Sequence, residues 1–459
     1  MADGSGPFDI IVLGGGSGGY ACALRAVELG KTVALIEKDK IGGTCLHRGC
    51  IPTKALLHAA EVADETRESA TVGVKAKFEG IDMPAVNSFK DKIVTRAWKG
   101  VQGLLRSGGV TIIEGEGRLT GPNRVTVGGR SYEARNIVLA TGSAPKTLPG
   151  LEIDGERVIT SEHVLKLDRV PSSAVVLGGG VIGVEFASVW RSFGTEVTIV
   201  EALPHLLPLE DESSSKLLER AFRRRGIKYE LGQRFESVKT TDEGVVVTLA
   251  GGKTLDAEVL LVAVGRGAVS AGLGYEEAGV AIERGTVTVD QYCRTSVPGI
   301  YAVGDLIPTL QLAHAGFAEG ILTAEHIAGL NPVPIDYNGV PRITYSDPEV
   351  ASVGLTSAAA RERGYEITEF TLDLGGNPRS QILQTQGAVK VITAKDGPVL
   401  GVHMVGRRIG ELVTEGQLIY NWEALPSEVA QLVHAHPTQS EAIGEAMLAL
   451  AGKPLHVHN

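Results

Sequence analysis

Short apolar runs alternate with glycine-rich loops and helical patterns over much of the chain. The first apolar run covers residues 8–13, and the loop GGGSGG over residues 14–19 follows it. A helical pattern over residues 20–29 and a second apolar run over residues 31–36 come next, before Glu37. Strand, loop, helix and strand in this order predict a βαβ unit of a parallel sheet.

The same unit returns between residues 173 and 201. Strands are predicted over residues 173–177 and 196–200, with a helix over residues 184–193 between them. The spacing of the glycines and of the closing glutamate is the same in both copies: Gly14, Gly16, Gly19, Gly30 and Glu37 correspond to Gly178, Gly180, Gly183, Gly194 and Glu201. The repeat predicts two units of one fold.

Each copy carries the dinucleotide fingerprint, a Gly-x-Gly-x-x-Gly loop between strand and helix and an acidic residue after the second strand. The glycines permit the tight turn, the approach of the pyrophosphate and close helix packing. The helix N-terminus offers amide donors to the phosphates, and the carboxylate accepts from ribose hydroxyls. A plain βαβ turn is the alternative for either copy alone, but the two copies together predict two bound dinucleotides.

Further apolar runs end in turns. Residues 137–143 lead to a turn before Pro145, residues 259–264 run into Gly265, and residues 298–303 run into Gly304-Asp305. An aspartate at the carboxyl end of such a strand can reach a cofactor hydroxyl. A simple turn residue is the alternative for Asp305.

The pattern changes after a proline-rich linker over residues 332–341. Strands are predicted over residues 389–392 and 399–405, and helices over residues 410–421 and 441–451, with no phosphate loop among them. We therefore expect a third domain without its own cofactor, whose role is contact with a second copy of the chain.

Length and charge narrow the class of protein. A chain of 459 residues is too long for one core, so several domains are expected. The net charge of −10 opposes a nucleic-acid partner, and the three arginines 223–225 are predicted to form a solvated helix face. No apolar run is long enough for a membrane span, and residues 1–8 lack the order of a signal peptide, so a cytoplasmic location is expected.

The four cysteines fall into two groups. Cys22 and Cys293 are isolated in sequence and are predicted to be small buried residues. Cys45 and Cys50 lie in the run GGTCLHRGCIPTK over residues 42–54. Four roles are open to this pair: inert thiols, metal ligands, a structural bridge or a redox dithiol. Too few further ligands lie nearby for a zinc site, so no metal is expected.

The surroundings of the pair favour redox chemistry. Positive charges on Arg48 and Lys54 are expected to lower a thiol pKa. In a regular helix, Cα atoms five residues apart are about 8.5 Å apart, beyond the ~7 Å limit for a disulfide. A bridge therefore requires an irregular turn, which forms most easily at Gly49. Such a bridge is more readily reduced than a structural one.

The run over residues 42–54, both fingerprints, the turn at residues 140–142 and Gly304-Asp305 together resemble the pyridine nucleotide–disulfide oxidoreductases. The resemblance covers essentially the whole chain. It implies an α/β fold with two nested Rossmann-like dinucleotide-binding domains and a C-terminal α+β dimerisation domain. The implied boundaries are 1–146 and 266–332 for a discontinuous FAD-binding domain, 147–265 for an NAD-binding domain and 333–459 for the dimerisation domain.

The resemblance also implies the site residues. In this family the second cysteine touches the flavin and the first exchanges with substrate, so Cys50 and Cys45 take these roles. Lys54 is implied to lie near the reactive edge of the flavin and to pair with Glu185. The implied FAD contacts are Gly14, Gly16, Gly19, Glu37, Lys38, Thr44, Lys54, Gly115, Thr141, Gly142, Asp305 and Ala313. The implied NAD contacts are Gly178, Gly180, Val181, Ile182, Gly183, Glu185, Glu201 and Gly265.

A base for the thiol protons is sought near the C-terminus. His436 lies shortly before Glu441, but Thr438-x-x-Glu441 also reads as a capping box for the next helix. The resemblance implies that His436 is the base and that Glu441 orients it and can also cap the helix. It further implies a homodimer in which this histidine reaches the cysteines of the other subunit. The His436–Pro437 bond is a candidate cis peptide.

The segment HAHPT at residues 434–438 resembles the branch of the family that oxidises dihydrolipoamide with NAD⁺. Glu201 repels a 2′-phosphate and no arginine follows in residues 202–212, so NAD is favoured over NADP. Lipoyl domains of 2-oxo-acid dehydrogenase complexes are the implied partners. His47 and Gln439 depart from the usual pattern, which leaves two alternatives: an NADPH-dependent reductase of a small disulfide, and a non-catalytic flavin redox sensor.

Overall fold

The structure is a computed structural model and describes residues 7–457. The strands, in chain order, are β1 (Phe8–Leu13), β2 (Val33–Glu37), β3 (Thr111–Glu114), β4 (Gly117–Gly121), β5 (Arg124–Val127), β6 (Arg130–Leu139), β7 (Ser143–Pro145), β8 (Val158–Thr160), β9 (Ser173–Leu177), β10 (Glu196–Glu201), β11 (Lys228–Leu231), β12 (Phe235–Thr240), β13 (Val245–Leu249), β14 (Thr254–Ala257), β15 (Val259–Val262), β16 (Arg266–Ala268), β17 (Ile282–Glu283), β18 (Thr286–Val287), β19 (Ile300–Ala302), β20 (Arg342–Thr344), β21 (Glu349–Gly354), β22 (Ile367–Asp373), β23 (Ala388–Ala394) and β24 (Val399–Gly406).

The α-helices, in chain order, are α1 (Ser17–Glu28), α2 (Gly43–Arg48), α3 (Cys50–Glu68), α4 (Met83–Ser107), α5 (Ser161–Val164), α6 (Val181–Phe193), α7 (Glu212–Arg224), α8 (Ala313–Ile327), α9 (Ser357–Glu362), α10 (Pro378–Ile382), α11 (Val413–Asn421), α12 (Pro426–Val429) and α13 (Glu441–Leu450). Short 3₁₀ turns lie at Ser69–Val72, Gly304–Leu306, Tyr337–Gly339, Leu374–Gly376 and Ile409–Leu412. Each helix of the described chain is too short or too polar to cross a lipid bilayer.

The chain divides into two compact units. The first combines the described part of Met1–Ala55 with Pro84–Lys146 and Gly265–Tyr337. The second combines Leu56–Met83, Thr147–Val264 and the described part of Asn338–Asn459. The domain boundaries expected from the sequence stay a prediction.

The first unit is built on one sheet of order β3-β2-β1-β6-β5-β4, with β19 added beside β6. Strands β1, β2, β3, β6 and β19 pair in parallel, and β4 and β5 continue the sheet in antiparallel pairing. Strands β1, β2 and β19 and the last three residues of β6 are almost fully buried, which explains their apolar runs, whereas β3 is partly exposed. Helices α1 and α8 pack together, and an ion pair of 2.7 Å joins Arg25 to Glu325.

The described part of the second unit contains three sheets. A parallel sheet of order β11-β10-β9-β15-β8 carries α6 after β9, in the same arrangement that α1 has after β1. Strands β12, β13 and β14 form an antiparallel sheet. The C-terminal sheet has the order β20-β21-β24-β23-β22 and is antiparallel, and its apolar core includes Met404, Ile443 and Met447.

The predicted α/β class with a C-terminal α+β region is confirmed. Strands β1 and β9 have the predicted bounds, whereas α1 and α6 begin three residues earlier than predicted. The prediction treated the last glycines of each loop as non-helical because glycine disfavours helix interiors. In the structure Gly16 is the N-cap of α1 and Gly180 is the N-cap of α6. The glycines that follow them lie in the first turn of each helix.

One residue predicted to be solvated, Arg225, is half-buried in a polar network. Arg223 and Arg224 are exposed as expected, but only 18% of the Arg225 side chain is exposed. Its guanidinium donates to the hydroxyls of Ser188 and Ser192, at 2.8 and 2.7 Å, and pairs with Asp64 at 3.0 Å. The prediction of three solvated arginines is therefore wrong for Arg225. Its partner Asp64 lies far away in sequence, so no local pattern indicated the contact.

Candidate active site

The two cysteines lie on either side of a break between helices. Helix α2 ends at Arg48, and α3 begins at Cys50. Gly49 between them has φ of −143° and ψ of −111°, which are not helical. A Cβ added at Gly49 would lie 3.1 Å from the Thr44 carbonyl oxygen, so a larger residue fits poorly there. The Gly49 carbonyl accepts the Thr53 amide at 3.1 Å, which starts the new helix. The predicted irregular turn at Gly49 is confirmed.

The side chains of Cys45 and Cys50 are in hydrogen-bond contact. This contact and burial raise the pKa of the Cys45 thiol, and the charge of Lys54 opposes them with a smaller effect. Arg48 forms an ion pair with Asp39. The prediction that flanking positive charges lower the thiol pKa is therefore wrong for Cys45 in the dithiol form. The other predicted cysteines, Cys22 and Cys293, are buried as expected.

The first glycine loop has the shape of a phosphate cradle. Gly14 has φ of +109°, and a Cβ there would lie 2.3 Å from the Ala140 carbonyl oxygen. A Cβ at Gly19 would lie 1.9 Å from the Gly14 oxygen. At Gly16, by contrast, an added Cβ meets no protein atom within 4 Å. The loop is thus tight against the protein and open on the side of the α1 N-terminus, which fits the pyrophosphate of FAD.

Glu37, at the end of β2, holds the first glycine loop in place. Its Oε2 accepts the Gly15 amide at 2.7 Å, and its Oε1 accepts the Asp39 amide at 2.8 Å. A carboxylate has about four lone-pair positions, so acceptor capacity remains for ribose hydroxyls. The sequence indicated only the ribose role. The contact with the loop was missed, although the fixed spacing between loop and glutamate is its signal.

The second loop repeats this geometry. Gly178 has φ of +112° with a Cβ position 2.3 Å from the Ala263 oxygen, and a Cβ at Gly183 would lie 2.0 Å from the Gly178 oxygen. Gly180 is open, like Gly16. Glu201 accepts the amides of Gly179 and Leu203, each at 2.7 Å. These residues fit a second dinucleotide.

The other predicted NAD contacts are more varied. Val181 is exposed and Ile182 half-buried at the start of α6. Glu185 is buried and accepts the Tyr345 amide at 2.9 Å. Gly265 belongs to the first unit, where its carbonyl accepts the Lys146 amide at 3.0 Å. The pairing of Lys54 with Glu185 stays a prediction.

Asp305 lies beside the turn after β6. Strand β19 pairs with β6 through Ala302 and Leu139, so the turns after both strands share one sheet edge with the first glycine loop. The Ser143 hydroxyl donates to the Asp305 carboxylate, and Arg266 Nε donates to that hydroxyl at 2.8 Å. Ser143 and Arg266 were missed by the sequence reasoning, because a serine and an arginine in turns carry no spacing signal.

The remaining predicted FAD contacts surround this edge unevenly. Thr141 donates to the Val269 carbonyl at 2.7 Å, and Gly142 has φ of +68° with open space at its Cβ position. Gly115 donates its amide to the Glu37 carbonyl at 2.9 Å. Lys38 is at the surface, paired with Glu116 at 2.9 Å. Two further predicted contacts lie in helices: Thr44 in α2 and Ala313 at the first position of α8.

The predicted base is held by its predicted carboxylate. His436 Nδ1 and Glu441 Oε1 are 2.8 Å apart, and the His436–Pro437 peptide is cis as expected. Burial raises the pKa of Glu441, but the Thr438 amide and His436 outweigh it and hold that pKa below its ordinary value. The capping box is only half formed, because Ser440 is the N-cap of α13 and the Thr438 hydroxyl donates to the Ala435 carbonyl.

A second histidine supports this segment. His434 Nε2 and Glu415 Oε1 are 2.6 Å apart, and this hydrogen bond raises the pKa of His434. A Cβ at Gly444 of α13 would lie 2.5 Å from His434 Nδ1, so the ring packs directly on that helix. His434 lies in the segment HAHPT at residues 434–438, which the sequence pointed to, but its partner Glu415 was not predicted.

The chain is similar to known proteins in both sequence and structure. A family model described as pyridine nucleotide-disulphide oxidoreductase matches residues 8–320, and one described as the dimerisation domain of that family matches residues 340–447. The dihydrolipoyl dehydrogenase of Bacillus subtilis is 40% identical over 98% of this chain and 99% of the relative. The mitochondrial dihydrolipoyl dehydrogenase of Pisum sativum is 37% identical over 100% of this chain and 94% of the relative. The solved structure of LpdA from Mycobacterium tuberculosis is 30% identical, with a TM-score of 0.90, over 96% of this chain and 99% of that one.

Proposed function

Because the chain belongs to the pyridine nucleotide–disulphide oxidoreductase family, which binds FAD and NAD(H), we propose that it oxidises dihydrolipoamide to lipoamide with NAD⁺ as acceptor. The observation that carries the proposal is the Cys45–Cys50 dithiol at the break between α2 and α3. Dihydrolipoamide as the substrate is supported by the names of the similar Bacillus and pea proteins.

The cysteines exchange disulfide for dithiol with the substrate. In the oxidised protein they form a disulfide, and a substrate thiolate attacks the sulfur of Cys45. The Cys45–Cys50 bond breaks with its electron pair on Cys50. The second substrate thiol loses its proton and attacks the substrate sulfur bonded to Cys45, which closes lipoamide and releases Cys45. The substrate loses two electrons and two protons, and the cysteine pair gains the two electrons. A bound FAD, held by the loop at residues 14–19 with Glu37 and Asp305, would supply the two-electron redox chemistry between the cysteine pair and NAD⁺.

A base is needed because the substrate enters as a dithiol, and thiolates rather than thiols carry out the exchange. His436 of the partner subunit takes this role in the proposal. With its Nδ1–H donated to Glu441, the ring keeps a lone pair on Nε2, and the carboxylate stabilises the imidazolium that forms. Because 69% of the His436 side chain is exposed, the base is accessible to a thiol.

We propose one cofactor site at each of the two glycine loops. We assign FAD to the loop at residues 14–19 with Glu37 and Asp305, and NAD⁺ to the loop at residues 178–183 with Glu201. The buried negative charge of Glu201 disfavours a 2′-phosphate, and therefore NADP. The chain carries a dimerisation domain, which supports a homodimer. A site shared between subunits, lipoyl domains as partners, a cytoplasmic location and the predicted domain boundaries belong to this proposal.

Two measurements on the purified protein test the proposal. Steady-state assays should show reduction of NAD⁺ by dihydrolipoamide and little activity with NADPH and a glutathione-type disulfide. Two-electron reduction should produce a long-wavelength thiolate-to-flavin absorbance, which Cys50→Ser abolishes and the control Cys22→Ala retains. Turnover only with NADPH would replace the proposal with a small-disulfide reductase. Full FAD content without any turnover would replace it with a redox sensor.

A further inference from the structure

Glu319 of α8 is a fully buried carboxylate outside the residues assigned above. Its exposure is 0%. Its Oε2 accepts the Gly304 amide at 2.6 Å, and its Oε1 accepts the hydroxyls of Thr309 and Tyr337 at 2.7 and 2.9 Å. All of these residues lie in the first unit. A charged side chain is rarely buried without partners, and here three donors surround it.

One of the three donors belongs to the turn that carries Asp305. Gly304 and Asp305 begin the 3₁₀ turn Gly304–Leu306, and Gly304 has the left-handed φ of +72°. A turn that starts in this conformation is held by its hydrogen bonds rather than by a helix or strand. The contact from Glu319 therefore fixes the Gly304 amide, directly before Asp305.

The helix that carries Glu319 is itself fixed to the first glycine loop. A Cβ at Gly320 would lie 2.2 Å from the carbonyl oxygen of Gly18, so α8 touches the first turn of α1. The side chain of the preceding residue, Glu319, then reaches the Asp305 turn. One rigid connection thus runs from the phosphate cradle through α8 to Asp305.

We propose that Glu319 is a positioning residue for FAD, which sets the distance between the phosphate cradle and the Asp305 carboxylate. The inference rests on the proposed assignment of Asp305 as a flavin ligand.

A purely structural role fits the observations less well. Burial raises the pKa of Glu319, so folding works against its ionisation. An apolar residue of similar volume often serves a core as well as a buried charge or better. A carboxylate is favoured at this site because it can accept the Gly304 amide and the two hydroxyls at once.

A double-mutant cycle on FAD affinity tests the inference. Full-length apoprotein is titrated with FAD for the wild type, Glu319→Ala, Asp305→Ala and the double variant. We expect each single variant to bind FAD roughly 10- to 100-fold more weakly, because each loses a charge-assisted hydrogen bond. The double variant should bind almost as the Asp305→Ala protein does, since Glu319 acts through Asp305. Glu319→Gln keeps a carbonyl for Gly304 and should restore affinity to within a few-fold of the wild type.

The control is Glu276→Ala, which removes an exposed carboxylate from the same unit and should leave FAD affinity unchanged. If Glu319→Ala does not fold, Glu319→Gln is compared with Glu319→Leu by FAD retention, and equal retention overturns the inference. Additive losses in the cycle, or no loss from Glu319→Ala, also overturn it while the Asp305 assignment stands. If Asp305→Ala alone leaves FAD affinity unchanged, the Asp305 assignment is wrong and the inference falls with it.

Discussion

The contact between α8 and α1 leaves no room for a methyl group at one glycine. A Cβ added at Gly320 would lie 2.2 Å from the Gly18 carbonyl oxygen and 2.9 Å from the Cys22 amide nitrogen. Both atoms are backbone of α1, so neither can rotate away. The substitution Gly320→Ala must therefore separate the two helices by about 1 Å or distort one of them.

The net effect follows from two opposing contributions. Overpacking of this kind costs about 1–3 kcal/mol, whereas alanine in place of glycine in a helix interior returns about 1 kcal/mol. We expect Gly320→Ala to lower the free energy of unfolding by up to about 2 kcal/mol. Because the first turn of α1 forms the phosphate cradle, the variant should also purify with less FAD.

Gly316 on the same helix supplies a matched control. A Cβ there would have its nearest neighbour, the Gly18 amide nitrogen, at 3.4 Å, which is ordinary contact. Gly316→Ala should therefore gain helix stability and keep its FAD. Thermal unfolding and flavin absorbance per chain are measured for both variants. If Gly320→Ala unfolds at the same temperature as Gly316→Ala and holds as much FAD, the packing argument is wrong.

Three further predictions concern polar side chains. Glu441→Gln should lower kcat for dihydrolipoamide oxidation about 10- to 100-fold in steady-state assays with normal FAD content, because His436 loses the charge that stabilises its protonated form. Burial raises the pKa of Glu349 to about 7 from an ordinary 4.5, so its protonated form favours folding, and this contribution is present below pH 4.5 and lost as the pH rises through 7. Glu349→Gln should therefore raise the unfolding temperature at pH 8 and change it little at pH 4.5. Arg225→Met should reduce the free energy of urea unfolding by about 2–3 kcal/mol, less than for a fully buried pair because 23% of Asp64 stays exposed.

Each of these substitutions has a control: the same change at another residue of the same amino-acid type. Glu445 lies on the same helix as Glu441 and also pairs with a histidine, His456 at 2.9 Å, so Glu445→Gln should keep full activity. An equal loss of activity in both variants would remove the catalytic role of Glu441. Glu362→Gln, at an exposed glutamate of α9, should leave the pH dependence of unfolding in place, and a flattened dependence there would contradict the assignment to Glu349. Arg224→Met should be close to neutral, and equal destabilisation by both arginine variants would refute the buried network.

The parts of the site that depend on local backbone geometry were predictable. The repeat of Gly14, Gly16 and Gly19 at Gly178, Gly180 and Gly183 is visible because a close approach of backbone to backbone admits only glycine, whatever the rest of the fold does. The break at Gly49 was predictable from the spacing of the two cysteines, since a regular helix holds them too far apart.

The parts that depend on distant partners were not predictable. Glu319, Arg225 and Arg266 each occupy an unremarkable place in the sequence, and their functions come from groups brought near by the fold. The pKa of Cys45 was mispredicted for the same reason, because the sequence shows neighbouring charges but shows neither burial nor the contact with Cys50. Burial and long-range pairing are properties of the assembled core, which a local pattern does not contain.

Glu201 both repels a 2′-phosphate and holds the second glycine loop, and this combination limits how the coenzyme preference of the chain can change. Replacing Glu201 with a neutral or basic residue removes the repulsion of a 2′-phosphate, but it also removes the acceptor for the Gly179 amide at 2.7 Å. The phosphate loop then loses the group that holds it in place. A route to NADP, by evolution or by engineering, therefore passes through two coupled changes: a cation for the phosphate and a new acceptor for the loop.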